Sequence, residues 1–192
     1  MKKAYVINLD SRPDRMESFK KNQFPFEVER FPGVVASCGE DGCTYSHLAI
    51  LKQQKEFPFV VFEDDCEMIR PWDLVEKAML QLPKDWDGLW LGTNPRKQLH
   101  RYSENLFYLR RSYSSHGIIY GSKKMVDYIL ENHNTPSGKN LDIFYCHVLQ
   151  VMFKCFVVYP LAATQISDYS DIAHVDTHNR EELIANFERR TS

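Results

Sequence analysis

Three consecutive acids close a short apolar run in Phe59-Val60-Val61-Phe62-Glu63-Asp64-Asp65-Cys66-Glu67. Adjacent carboxylates at the end of a buried strand repel one another and lose solvation, so something positive should compensate them. Hard oxygen donors suit Mg²⁺ or Mn²⁺, which keep several waters and take one or two carboxylates together with substrate phosphates. Along an extended chain, Glu63 and Asp65 point to one side and Asp64 to the other. Asp65 is therefore the first candidate metal ligand and Glu63 the second, with one of the pair near a nucleotide ribose. Asp64 is left to hold backbone or a basic neighbour. A competing reading is a solvated acidic turn that caps the following helix. Late in the chain, His174 or His178 could add a metal ligand or lie at the surface, since His fills many roles.

These acids need elements that hold them, and short apolar runs alternate with amphipathic stretches as in an α/β layer structure. Ala4 to Leu9 is expected to be a buried first strand, turning through Asp10-Ser11-Arg12-Pro13 into a helix whose first turn tolerates Pro13. Asn8, Asp10, Arg12 and Arg15 lie where that strand meets its helix, a common nucleotide-binding position at which Arg forks can reach phosphate. Arg15 could instead pair with an acid on its own helix. Val6, further back on the strand, is counted with the cofactor-binding set. Strands are expected over Phe26–Phe31, Phe57–Phe62, Gly88–Leu91, Ile118–Tyr120 and Phe156–Tyr159. Helices are expected from about Gly42 to Lys55, with Tyr45, Leu48 and Leu51 on one face, from Pro71, after Tyr120, and from Arg180 to Arg189.

The 192 residues suit one domain, taken as 1–192, and 43% hydrophobic with 26% charged residues is an ordinary globular balance. A net charge of −2 gives no electrostatic footprint for nucleic acid. No apolar run is long enough to span a bilayer, and the run after Met1 is too short for a signal peptide. Five cysteines at irregular spacing argue against a disulfide framework and for a reducing compartment. The expectation is a cytoplasmic protein, or the soluble domain of a longer one. Cys38, Cys43 and His47 suggest a zinc knuckle but lack a second ligand pair, so buried, inert thiols are the better reading.

Four segments together resemble glycosyltransferase family 25, the lipopolysaccharide-type and collagen-type galactosyl- and glucosyltransferases. Tyr5-Val6-Ile7-Asn8-Leu9-Asp10-Ser11-Arg12-Pro13-Asp14-Arg15 is similar to the family's opening strand and turn, and Gly42-Cys43-Thr44-Tyr45-Ser46-His47-Leu48 to its GC-x-x-SH helix. Phe62-Glu63-Asp64-Asp65 matches its variant of the Asp-x-Asp motif, and Gln165-Ile166-Ser167-Asp168-Tyr169-Ser170-Asp171-Ile172 resembles its closing segment. A related small GT-A glycosyltransferase, viral ones included, fits nearly as well. The resemblance implies a GT-A-type, Rossmann-like α/β fold with a mixed, mostly parallel sheet flanked by helices. It implies an inverting hexosyl transfer from a UDP-sugar, with Mn²⁺ or Mg²⁺ on the diphosphate, to a glycan, glycolipid or glycoprotein. It also sets Ser46 and His47 on an inward-facing helical turn lining the donor pocket, although His47 could equally be a core histidine.

Inversion needs a base away from the metal. Asp142, in Asn140-Leu141-Asp142-Ile143-Phe144, is an acid among apolar residues, where burial raises the pKa and favours proton acceptance. The segment also resembles the family's hydrophobic-Asp element, and the alternative is a helix N-cap. Asp171 is the reserve candidate. Thr93, Asn94 and Ser114-Ser115-His116 could meet sugar or acceptor, and Trp86, Trp90 or Tyr113 could stack on sugar rings, with core packing the default for Trp90. The basic residues from Arg96 to Arg111 are expected to form a solvated face. Walker, Gly-x-Gly-x-x-Gly and Gly-x-Ser-x-Gly motifs are absent, which disfavours a P-loop NTPase, a dehydrogenase and an α/β-hydrolase. A nucleotidyltransferase and a catalytically silent glycan- or nucleotide-binding module of the same fold remain as alternatives.

Overall fold

The computed structural model describes residues 1, 3–133, 140–166, 169–170, 175–176 and 179–192. Its centre is an eight-stranded sheet in the order β2-β1-β3-β10-β5-β11-β8-β7. In chain order the strands are β1 (Ala4–Asn8), β2 (Glu29–Pro32), β3 (Phe59–Glu63), β4 (Cys66–Met68), β5 (Gly88–Trp90), β6 (Asn94–Pro95) and β7 (His100–Ser103). They continue with β8 (Leu106–Tyr108), β9 (Ser112–Tyr113), β10 (Gly117–Tyr120), β11 (Cys155–Val158), β12 (Ala163–Gln165), β13 (Tyr169–Ser170) and β14 (Val175–Asp176). Within the large sheet only β10 and β8 run against the other strands. The sheet is mixed, with most strands pointing one way.

The helices are α1 (Pro13–Phe19), α2 (Gly39–Gln53), α3 (Trp72–Leu80), α4 (Lys123–Asn132) and α5 (Leu141–Phe144). From α5 the chain runs through a π-helical stretch, Tyr145–Leu149, into α6 (Gln150–Met152), and α7 (Asn179–Thr191) closes the described chain. No helix among the described residues is long and apolar enough to cross a membrane. One core layer packs α2, α4 and the α5–α6 segment on the sheet through Leu48, Leu51, Phe59, Val61, Met125, Ile129, Phe144 and Leu149. The other packs α1 and α3 on the opposite face through Phe19, Trp72, Val75, Val60, Phe62 and Leu89. Strand alternation produces this division, with Phe59 and Val61 facing one layer, Val60 and Phe62 the other.

Several expectations shift. Tyr45 is 49% exposed, so it is not on the core face of α2. That face instead carries Thr44, Ser46, His47, Leu48, Ile50 and Leu51. The second strand begins at Glu29 rather than Phe26, because Phe24 and Phe26 turn inward to stack with each other and against Trp72. The basic residues between Arg96 and Arg111 are exposed as expected, except for the half-buried Arg110, but several are held in place. Arg101 lies over the Phe107 and Tyr159 rings, Arg96 lies over Tyr113, and Arg110 donates to the carbonyls of Gln150 and Phe153. Trp90 is in the core, as its apolar neighbours imply.

Candidate functional site

The site forms where β1 and β3 end side by side. Ile7 stands opposite Glu63 in the parallel register, so Asn8 and Glu63 leave the sheet together. Asn8 is a buried hub: its side chain donates to Asp64 Oδ2 at 2.7 Å and to the Arg12 carbonyl at 2.8 Å, and accepts from Arg30 Nε at 2.8 Å. Arg15, on α1, adds an ion pair to Asp64 Oδ1 at 3.2 Å. Burial pushes the Asp64 carboxyl up, against the pull of Asn8 and Arg15. Asp64 thus serves as the clamp between β1, α1 and β3, and it does so from a turn, because β3 ends at Glu63 and the strand alternation expected through Asp65 does not continue.

Glu63 takes the other direction. Its Oε1 accepts from Ser115 Oγ at 2.6 Å and lies 3.1 Å from His47 Nε2 and 3.9 Å from Cys43 Sγ. Burial acts to raise the Glu63 carboxyl, but His47 and Ser115 outweigh it and hold the group below its ordinary value, as a carboxylate. Asp65 Oδ2 accepts from Gln165 Nε2 at 3.1 Å, while its Oδ1 is buried with no hydrogen-bond partner. Burial, with the charges of Glu63 and Asp64, pushes Asp65 up to about 7.

Asp142 arrives from a third element. Asn140 caps α5 by accepting from the Asp142 backbone N–H, so Asp142 sits in the first turn and is not itself the cap. Its Oδ2 accepts from the Ser114 N–H at 3.1 Å. Burial, then the charge of Glu63, pushes Asp142 up to about 6. Ser114 Oγ in turn donates to Gln165 Oε1 at 3.4 Å, so one hydrogen-bonded chain joins Asp142 to Asp65. Ser114 has a φ of 88°, and this left-handed geometry turns its N–H onto the carboxylate.

A cleft of about 420 Å³ opens on this cluster, lined by Glu63, Asp64, Asp65, Gln165, Arg15, and the chain from Gly33 to Gly39. That loop is pinned to α2: Ser46 Oγ accepts from the Val34 N–H at 2.8 Å and donates to the Gly42 carbonyl at 2.7 Å. A Cβ on Gly42 would stand 2.6 Å from the Val34 carbonyl oxygen, so the helix can approach only without one. A second cleft, about 550 Å³, lies on the far side of Asp64 and has neither Glu63 nor Asp65 in its lining.

No family model matches the sequence, and no curated protein matches it either. Among solved structures it is similar to A197 from STIV, at 11% identity over 86% of each chain with a TM-score of 0.52. It also aligns with the apo-form glycosyltransferase GlyE of Streptococcus pneumoniae TIGR4, at 11% identity and a TM-score of 0.44. That match covers 81% of this chain and 45% of GlyE. The likeness to A197 shows a shared fold. It assigns no chemistry, and the resemblance to family 25 stands on the four sequence segments alone.

The sequence-derived residues fall unequally around the cleft. Glu63, Asp65 and Ser46 line the cleft, whereas Asp142 is not in its lining and joins the cluster through Ser114 and Gln165. His47 is fully buried beneath Glu63, so it positions that carboxylate from within the core. Val6 is wholly buried against the α1–α3 layer and does not reach the cleft. Asp10 pairs with Arg30 at 2.5 Å and Arg12 with Asp14 at 2.8 Å, and neither lines the cleft, where Leu9, Ser11 and Arg15 do. Arg15 pairs with Asp64. Thr93 is buried and donates to the Tyr113 carbonyl, which makes it a structural residue. Asp171, His174 and His178 lie outside the described residues. Arg30 and the loop Gly33–Cys38 were not legible as parts of the site, since neither carries a periodic or motif signal.

Proposed function

We propose that this protein is a metal-dependent, inverting hexosyltransferase that uses a nucleoside-diphosphate sugar, a UDP-sugar by the resemblance to family 25. The observation that carries this reading is a cleft at the ends of parallel strands lined by Glu63 and Asp65, with Asp65 Oδ1 buried and unpartnered and Asp142 tied to Asp65 through Ser114 and Gln165. Two carboxylates and an open cleft fit a hard divalent ion that shares its shell with phosphate oxygens. Asp65 and Glu63 would hold Mn²⁺ or Mg²⁺, which supplies positive charge to the departing diphosphate.

The chain's own residues do the rest. The loop Gly33–Cys38, fixed by Ser46 and Gly42, walls the cleft on the nucleotide side. Asp64 keeps Arg15 at the cleft lining, where a guanidinium suits phosphate. Asp142 takes the proton from the acceptor hydroxyl as that oxygen attacks the anomeric carbon from the face opposite the leaving group. A carboxyl raised to about 6 is a stronger base than an ordinary aspartate and is still ionised at neutral pH. Ser114 N–H fixes its orientation. The acceptor is a glycan, glycolipid or glycoprotein.

A thermal-shift panel of UDP-, GDP- and dTDP-sugars, with Mn²⁺ and with chelator, tests the reading. One donor should stabilise the protein by about 2.7 kcal/mol at a hundredfold excess over Kd, and only with metal. Silence across the whole panel would leave a non-catalytic module of this fold.

A further inference from the structure

Glu63 is shared between two chemistries. On the cleft side it neighbours Asp65. On the helix side it meets Cys43 and His47, which lie one turn apart on α2 and so share a face. The Cys43 Sγ, a His47 ring nitrogen and a Glu63 carboxylate oxygen all lie within 4.8 Å of one another. In the tightest pairings Glu63 Oε1 is 3.1 Å from His47 Nε2 and 3.9 Å from Cys43 Sγ. Ligand atoms about 2.0–2.3 Å from one tetrahedral ion stand at separations of this order. His47 is fully buried and its Nδ1 has no partner, so the ring's position owes nothing to a hydrogen bond on that nitrogen. Cys43 and Glu63 both line the cleft, which provides an entry path and room for water at a fourth position.

From this geometry we propose that Cys43, His47 and Glu63 form a binding site for a thiophilic divalent ion, Zn²⁺ above all. The site is distinct in ligand set from the all-oxygen pair Glu63–Asp65. Sulfur and imidazole donors select zinc over manganese or magnesium, and affinity along the first-row series favours zinc further. The third knuckle position considered in the sequence, Cys38, takes no part. It is exposed at the start of α2, and a carboxylate from β3 stands where a second thiol would be needed. Binding releases the Cys43 thiol proton to solvent, leaving a thiolate on the ion, so affinity rises with pH. Because Glu63 belongs to both sets, zinc bound here withdraws it from the cleft-side pair, and zinc opposes manganese at the donor site. Only this last consequence rests on the proposed function; the binding itself does not.

Co²⁺ serves as the spectroscopic stand-in for Zn²⁺ on the full chain, with tris(2-carboxyethyl)phosphine present to keep the thiols reduced. Wild type should bind one equivalent with a thiolate-to-cobalt charge-transfer band in the near ultraviolet, and one equivalent of Zn²⁺ should bleach it. Cys43→Ser should lose the band and weaken Zn²⁺ binding by at least about a hundredfold, since even outer-shell partners are worth ten- to a hundredfold. Cys38→Ser and Asp65→Asn should keep the band, with circular dichroism confirming that each variant is folded. Absence of the band in wild type overturns the proposal, as does its survival in Cys43→Ser. Its loss in Asp65→Asn would mean a single site rather than two, and also overturns it. A band present in a protein that ignores every nucleotide sugar supports this site while removing the transferase reading.

Discussion

Asp65→Asn should make the metal-free protein more stable and the metal-loaded protein less so. Burial and two neighbouring carboxylates lift Asp65 from 3.8 to about 7. In the unfolded chain the group ionises near 3.8, so between these values the folded state binds the extra proton. Its contribution to stability is therefore favourable at low pH and is lost as pH rises toward 7. Each pKa unit corresponds to about 1.4 kcal/mol, which sets an upper bound of roughly 4 kcal/mol for holding this carboxylate in the metal-free fold at neutral pH. Solvent reaching the group through the cleft screens that to roughly 1–2 kcal/mol. Asparagine keeps an acceptor for Gln165 Nε2 and removes the charge. In chelator at pH 7.5 the variant should melt roughly 2–8 °C above wild type, and the gap should close near pH 4. With Mn²⁺ at a hundredfold excess over Kd the order reverses, because wild type gains about 2.7 kcal/mol that the variant cannot. Differential scanning fluorimetry in both buffers reads the crossover. A variant that melts at or below wild type in chelator, or gains as much from Mn²⁺, refutes the reasoning.

Asp142→Asn should lower kcat by about 10²-fold or more while donor affinity stays within twofold, measured by steady-state kinetics and calorimetry. Loss of donor binding would make Asp142 part of the scaffold. In wild type, kcat should rise with pH and level off above an inflection near 6, since the ionised form is the base. Gly92→Ala would press a Cβ onto the Ala163 carbonyl oxygen and within 2.5 Å of His116 Nε2. A loss of about 1–3 kcal/mol in urea unfolding is expected, and an unchanged midpoint would show that β12 gives way freely. Asp87 is buried and accepts from Ser122 Oγ and the Lys154 N–H, with Lys124 Nζ at 3.0 Å. Asp87→Ala should cost roughly 3 kcal/mol, leaving metal-linked donor stabilisation intact in the folded fraction.

The central strands were legible because each is a short apolar run, and burial on both faces demands little else. Phe59 to Glu63 and Gly117 to Tyr120 follow that rule, and α4 was recovered with Met125, Val126 and Ile129 inward. The stretch from Asn94 to Tyr113 failed it, since its short strands are held by arginines lying over aromatic rings and by a bulge between Arg101 and Ser103. Period alone cannot see either device.

The same limit explains α2. Its inward face is Thr44, Ser46, His47 and Leu48, polar for half its length because that half serves the site. Thr44 accepts from the Leu141 N–H, Ser46 pins the cleft loop, and His47 meets Glu63. A reading by hydrophobic period found Leu48 and Leu51 but added the exposed Tyr45, and only the family resemblance set Ser46 and His47 inward. Local composition could mark Glu63, Asp65 and Asp142 as unusual acids. Their mutual placement depends on Ser115 and Gln165, which lie 52 residues from Glu63 and 100 from Asp65 respectively. Only the sheet order brings such distant segments together, with β10 antiparallel to β3 and β12 to β4. Polar residues that break an apolar pattern are thus the places where sequence periodicity fails and where a functional cluster is to be sought.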